Sequence, residues 1–239
     1  MMKVVIFVLS IAMASNMSFA QEVNEKEGGK VSLGLFISPT LNYRILTSDA
    51  SNDFIKTVRD ESESSGFRYQ GGITLDLKLS ERLGLQSGLV YADRVFKTNS
   101  IVFNWEDNSE PSITEAFFTQ QYQYIEIPFQ LKYDFLSTEK MNYFCAAGFT
   151  GAFLISHKQN HHVRVNNNWE RSSSELLNER TFMLMADLAL GMEYKFNSLV
   201  KMRSSINLQQ GIRPTNPDYP TKEYLNAAGL RLGIVFTTP

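Results

Sequence analysis

Tyr124-Ile125-Glu126-Ile127-Pro128-Phe129-Gln130-Leu131-Lys132-Tyr133 sorts its side chains by twos. Ile125, Ile127, Phe129, Leu131 and Tyr133 fall on one side, and Glu126, Gln130 and Lys132 on the other. Successive side chains of an extended strand point to opposite faces, so this stretch is a strand between an apolar and a polar medium. A soluble sandwich turns its polar face to water, whereas a membrane barrel turns its apolar face to lipid. The rest of the chain decides between them.

Eight such segments can be read: Val31 to Arg44, Phe67 to Leu79, Leu83 to Phe96, Tyr122 to Phe135, Asn142 to Ser156, Thr181 to Phe196, Leu199 to Arg213 and Tyr224 to Thr237. Each exceeds the ~9–11 residues a tilted strand needs to cross a bilayer. Their faces agree. Ile73, Leu75 and Leu77 oppose Thr74, Asp76 and Lys78; Leu188, Leu190 and Met192 oppose Asp187, Gly191 and Glu193. Val200, Met202 and Ile206 oppose Lys201, Arg203 and Asn207, and Leu230, Leu232 and Ile234 oppose Arg231 and Gly233. A lone buried carboxylate would cost several kcal/mol, so charges sharing a face must be paired or hydrated. The first and fifth segments alternate weakly: Phe36 falls among Ser32, Gly34, Ser38 and Thr40, and the fifth segment's inward set is Phe144, Ala146, Gly148, Thr150 and Leu154.

The connections alternate in length. Ser80-Glu81-Arg82, Leu136 to Met141 and Asn197-Ser198 are short; Ile45 to Gly66, Ser100 to Gln121, His157 to Arg180 and Pro214 to Glu223 are long and polar. A barrel with short periplasmic turns and long outer loops produces that rhythm. The expected fold is therefore all-β, an eight-stranded antiparallel transmembrane barrel. A soluble lipocalin-like barrel would need an apolar lumen and a polar exterior, the reverse of this charge placement.

The front of the chain fits the same compartment. Lys3, the apolar stretch from Val4 to Ala14 and the small residues around Ser18-Phe19-Ala20 read as a secretory signal cut between Ala20 and Gln21. A short polar lead, 21–30, would precede a single barrel domain, 31–239. A net charge of −2 gives no argument for nucleic acid. The single Cys145 excludes an internal disulfide framework. Aromatics, 12% of residues, gather near segment ends, as interfacial girdles do.

The strand Tyr124 to Tyr133, with its Glu-Ile-Pro core, resembles the "YLEIPLLLKY" strand of the PorT-type outer-membrane barrel family. The resemblance extends over roughly Val31 to Phe236, with GxxxG spacing at Gly84 and Gly88 and a closing strand that carries the aromatic Phe236. It implies a small barrel in the outer membrane of a Gram-negative bacterium, and weakly a link to secretion or envelope integrity. Expected partners are outer-membrane lipid, the barrel insertion machinery and a surface or envelope protein.

No cofactor or catalytic residue is expected. His157, His161 and His162 share one long connection, but no Cys or ordered carboxylate spacing accompanies them as a zinc site would require. A lipid-modifying barrel enzyme is the third reading, but Ser172 to Ser174 lie near His161 without the base and orienting group that mark an activated nucleophile. The candidate site is instead a structural charge network filling the lumen: Arg68, Asp76, Lys78, Glu126, Lys132, Asp187, Glu193, Lys195, Lys201, Arg203 and Arg231. Gly88, Gly148, Gly191 and Gly233 would leave room for the Lys and Arg stems.

Overall fold

The computed structural model describes residues 31–103, 113–175, 181–216 and 219–238. The expected signal peptide, its cut between Ala20 and Gln21, and the lead 21–30 lie outside the described residues. The elements are β1 (Val31–Ser48), α1 (Asp53–Ser62), β2 (Glu63–Lys78), β3 (Leu83–Thr98), β4 (Ile101–Val102) and β5 (Ile113–Ser137). They continue as β6 (Met141–Val165), β7 (Asn168–Glu175), β8 (Phe182–Lys195), β9 (Val200–Gly211) and β10 (Thr221–Thr237).

Eight of the strands close a ring, β1-β2-β3-β5-β6-β8-β9-β10, with β10 returning antiparallel to β1. Closure leaves no edge for the ring, which is the condition for strands in lipid. Following paired residues round the ring from Leu33 through Leu75, Ser87, Phe129, Phe149, Ala186, Gln210 and Asn226 returns to β1 at Tyr43. That stagger of ten residues on eight strands sets a tilt of roughly 40°, inside the usual range.

The apolar face points outward all round. Leu35, Ile37, Leu89, Phe129, Leu131, Leu188, Leu190, Ile206, Leu230 and Ile234 are exposed, while Thr74, Gln86, Glu126, Gln130, Asp187, Glu193 and Arg203 are buried inside. The belt ends in aromatics at both rims. Tyr133, Phe135, Phe196 and Phe236 mark the short-turn rim, and Tyr43, Phe67, Tyr69, Phe153 and Phe182 the other. Aromatic girdles of this kind belong to the membrane–water interfaces.

Each short turn is closed by a side chain accepting from the backbone. Ser80 Oγ accepts from Leu83 N (3.1 Å), Thr138 Oγ1 from Met141 N (3.0 Å), and Asn197 Oδ1 from Leu199 N and Val200 N (2.9 and 2.7 Å). Pro128 has no N–H to give, and the β3–β5 ladder lapses between Ser87–Phe129 and Val90–Glu126 without losing register.

The long connections are more ordered than a polar composition suggests. The first contains α1. β5 and β6 run on for 25 residues each, and β4 and β7 pair with their outer ends. A four-stranded sheet, β4-β5-β6-β7, thus stands beyond the ring. Tyr122 to Ile113 alone adds on the order of 30 Å of strand. β6 passes to β7 through Asn166 and Asn167, both at positive φ (48° and 68°), the conformation a two-residue hairpin turn demands. A tag inserted at Asn167 should be labelled on intact cells and one at Glu139 should not. Labelling at Glu139 alone would invert the topology. Asn108, an equivalent position in the connection after β3, lies outside the described residues.

Candidate functional site

The interior is layered along the barrel axis. At the short-turn end, Arg203 donates to Glu193 through Nε and Nη2 (2.8 and 2.6 Å) and to Asp76 through Nη2 (2.9 Å). Lys132 Nζ also reaches Glu193 (2.7 Å), and Lys201 lies 4.0 Å from it. Gln86 donates to the other Asp76 oxygen at 2.7 Å. The Phe144 ring underlies both cations, 4.7 Å from Lys132 Nζ and 5.6 Å from the Arg203 guanidinium. This cluster walls a cup of about 500 Å3 that also meets Ser32, Lys78, Asp134 and Lys195.

Farther in, the space closes. Arg94, buried to 0%, donates to Glu126 at 2.6 Å and to Gln209 at 2.8 Å. Gln209 donates to the second Glu126 oxygen (3.2 Å) and accepts from Gln70 (3.0 Å). Asp187 accepts from the Thr150 hydroxyl, and the Arg231 guanidinium lies 4.1 Å over the Phe36 ring. Phe36 and Phe144, apolar residues on the polar face, are therefore platforms for cations. Glu126, Asp187, Asn207, Gln209 and Arg231 line a cavity of about 10 Å3, room for about one water.

Above Arg94 lies an apolar layer of Phe96, Tyr122, Tyr124, Met183, Met185 and Leu225. It is capped by a second ionic cluster. Arg44 pairs with Glu63 and with Glu223 (2.9 Å) and donates to Gln120 (2.7 Å). Arg59, in the last turn of α1, reaches Glu63 at 2.8 Å and Glu223 at 2.6 Å, so the helix is tied down to both β2 and β10.

The eleven residues of the expected network divide accordingly. Asp76, Lys132, Glu193, Lys201 and Arg203 come together at the cup. Glu126, Asp187 and Arg231 share the middle layer. Lys78 is exposed at the cup's mouth, and Lys195 Nζ lies 3.5 Å from the Thr138 carbonyl. Arg68 is a correction. Its side chain is 41% exposed and points to Asp93 at 3.5 Å, on the outer wall. A bulge between Ser65 and Gln70 puts one extra residue into β2 opposite β3, and there Arg68 swings to Asp93 although Phe67 and Tyr69 on either side of it keep facing outward.

The glycines are a second correction. A Cβ at Gly88 or Gly148 would strike the backbone of β2 or β5. One at Gly191 would meet Ser204 O at 2.5 Å and the Phe144 ring at 2.7 Å, and one at Gly233 would meet Leu35 O at 2.5 Å. These glycines serve close backbone approach, not Lys and Arg stems.

Arg94, Arg44, Glu63, Glu223 and the apolar layer are absent from the expected network. Tyr122, Tyr124 and Glu126 share one face of β5, so the sequence does carry the signal that the polar face turns aromatic toward its outer end. The histidines, expected in a solvated loop, lie on β6. A bulge at Ile155 turns His157 inward, where it is buried and stacks on Tyr122 at 4.0 Å between ring centroids. Burial, with Arg44 nearby, pushes its imidazole down to about 4, so it is neutral at pH 7. His161 and His162 meet Phe118 and Phe117. Among the described residues no three His, Cys, Asp or Glu side chains group as metal ligands would.

Residues 19–214 match the family described as outer membrane protein beta-barrel domain. No curated protein matches the chain. Among solved structures, the chain is similar to Neisserial surface protein A, at 10% identity and a TM-score of 0.46, over 89% of this chain and 100% of that one. The outer membrane protein OprG from Pseudomonas aeruginosa gives 9% identity and 0.45, over 89% and 97%. The outer membrane protease OmpT from Escherichia coli gives 10% and 0.41, over 91% and 99%. The family match spans most of the chain and agrees with the closed ring, the outward apolar belt and the two aromatic rims: this protein belongs to the outer membrane protein β-barrel domain family and resides in the outer membrane.

Proposed function

We propose that the protein is a closed, non-enzymatic barrel whose task is to hold an ordered β-sheet above the outer membrane as an interaction surface. The observation that carries this reading is the fully buried Arg94–Glu126 pair beneath the layer of Phe96, Tyr122 and Tyr124. An eight-stranded ring has an interior that side chains can fill, and here the cavity beside Glu126 and Asp187, about 10 Å3, has room for about one water. A wall so filled supports what it carries outside and passes little through.

The chain would reach this place with its signal peptide removed between Ala20 and Gln21, by way of the barrel insertion machinery, and would sit among outer-membrane lipids. A surface or envelope protein is the partner proposed for the outer sheet. Kinship with PorT-type barrels, and through it a link to secretion or envelope integrity, rests on the strand Tyr124 to Tyr133.

Planar-bilayer recording of the refolded protein tests the closed interior. Conductance should stay near the bilayer baseline, with rare, small events. Long-lived, large openings in the unmodified protein would show a pore and overturn the reading.

A further inference from the structure

The outer sheet ends in an open edge. β7 is its last strand, with β6 as its only partner among the described residues, and all eight residues of β7 are exposed. The direction of its backbone groups follows from the turn before it. Asn166 and Asn167 form a two-residue turn, so Val165 and Asn168 face each other as a hydrogen-bonded pair. The pairing runs on from there without a register shift. Asn168, Glu170, Ser172 and Ser174 therefore bond to β6, and Trp169, Arg171, Ser173 and Glu175 turn their N–H and C=O groups to the open side.

Such an edge is a template for another strand, and proteins usually blunt it with Pro, Lys, a bulge or a very short edge strand. β7 has no Pro, no Lys and no bulge, and it presents about 27 Å of edge. By contrast β4, at the sheet's other end, is only two residues long. The side chains of β7 add selectivity. Trp169, Arg171, Ser173 and Glu175 share one face, and Glu170 lies on the other. Trp169 is half exposed. Arg171 gives one N–H to Asn160 at 3.0 Å, which occupies one donor of its fork. Glu175 holds Lys158 loosely, at 3.7 Å, and so exposed a pair exchanges readily for a better cation.

We propose that β7 takes up an extended segment of a surface or envelope protein, added antiparallel to its open edge. Main-chain bonds to Trp169, Arg171, Ser173 and Glu175 supply the affinity, and cross-strand side-chain pairs choose the partner. Read from its N-terminus, the segment carries at alternate positions a cation opposite Glu175, a hydroxyl opposite Ser173, a carboxylate opposite Arg171 and an aromatic opposite Trp169. A second cation, just before the aromatic, faces Glu170. A second copy of the chain in the same membrane fits poorly. Both barrels would point the same way, so their β7 strands would meet parallel or crossed and lose the antiparallel match. Docking at this edge rests on the proposed role of the outer sheet; conductance and labelling at Asn167 judge the closed interior and the outward placement separately.

The test uses the full chain refolded in micelles and a dye-labelled, end-capped peptide, Lys-Thr-Thr-Thr-Glu-Lys-Tyr, with binding read by fluorescence anisotropy. Methylating the backbone nitrogens of its third and fifth residues, which face β7, should weaken binding about tenfold. Methylating the second and fourth, which face away, should leave binding unchanged. Arg171→Glu should bind the peptide roughly fivefold more weakly, and a peptide with Lys in place of its Glu should recover that loss. The variant should keep the folded barrel's mobility on unboiled gels. No binding of the unmethylated peptide, equal loss from both methylation patterns, or no recovery with the exchanged peptide would overturn the proposal. Dimers of the protein alone that Ser173→Pro abolishes would also overturn it, by making a second copy the occupant of the edge.

Discussion

Replacing Glu126 by Ala should destabilise the barrel by about 3–5 kcal/mol, because it strands the buried Arg94 guanidinium without its anion. Arg94 is 0% and Glu126 1% exposed, and the pair sits at 2.6 Å. Gln209 remains as an acceptor for Arg94 at 2.8 Å but brings no charge, so it compensates only in part. The measurement is urea unfolding of the refolded protein in micelles. The double variant Arg94→Leu/Glu126→Leu separates a stranded charge from a lost attraction. If desolvation dominates, the double variant should recover most of the loss, since apolar replacement of a buried pair is often neutral or stabilising. A double variant as unstable as Glu126→Ala would show instead that the pair's hydrogen bonds to the surrounding layer hold the interior.

What alternation could and could not reveal follows from how a strand is read. The ring was legible because lipid outside and a polar interior force period two on every crossing strand, from Ile73-Thr74-Leu75 to Leu230-Arg231-Leu232. Alternation fails as a guide at a bulge. One extra residue near Arg68 lets that side chain swing outward, another at Ile155 changes which way the chain faces, and nothing in the local composition announces either. The outer halves of β5 and β6 read as loop because beyond the membrane neither face meets lipid, so the apolar period lapses while the strand continues. The interior's change from ionic to apolar at Tyr124 was visible residue by residue. It departs from the rule that polar residues face inward, because Tyr122 and Tyr124 share the inward face with Glu126. Pairing partners such as Arg203 with Asp76, 127 residues apart, depend on ring closure and no local pattern encodes them.

Leu190→Arg should impair insertion far more than Leu77→Arg, although both leucines face outward. A lipid-facing Arg costs ~2–4 kcal/mol at the bilayer midplane and ~0–1 kcal/mol near an interface. Leu190 is 58% exposed and lies five residues in from the short-turn end of β8, whereas Leu77 is the penultimate residue of β2. An arginine at position 77 has the rim, Lys78 and water within reach, so its head can snorkel out while its stem stays in lipid. An inward control must be chosen by available space as well as by face. Asn207 lines the middle layer, whose cavity of about 10 Å3 has room for about one water, so Asn207→Arg would overpack it. Ser32 lines the cup of about 500 Å3, so Ser32→Arg should be tolerated. Folded yield in bilayers of defined thickness is the readout, scored by the mobility of unboiled samples. The expected order of damage is Leu190→Arg first, then Leu77→Arg, with Ser32→Arg least. Equal damage at Leu190 and Ser32 would mean that the outward belt does not meet lipid. Equal damage at Leu190 and Leu77 would place the membrane lower on the barrel than the two aromatic rims require.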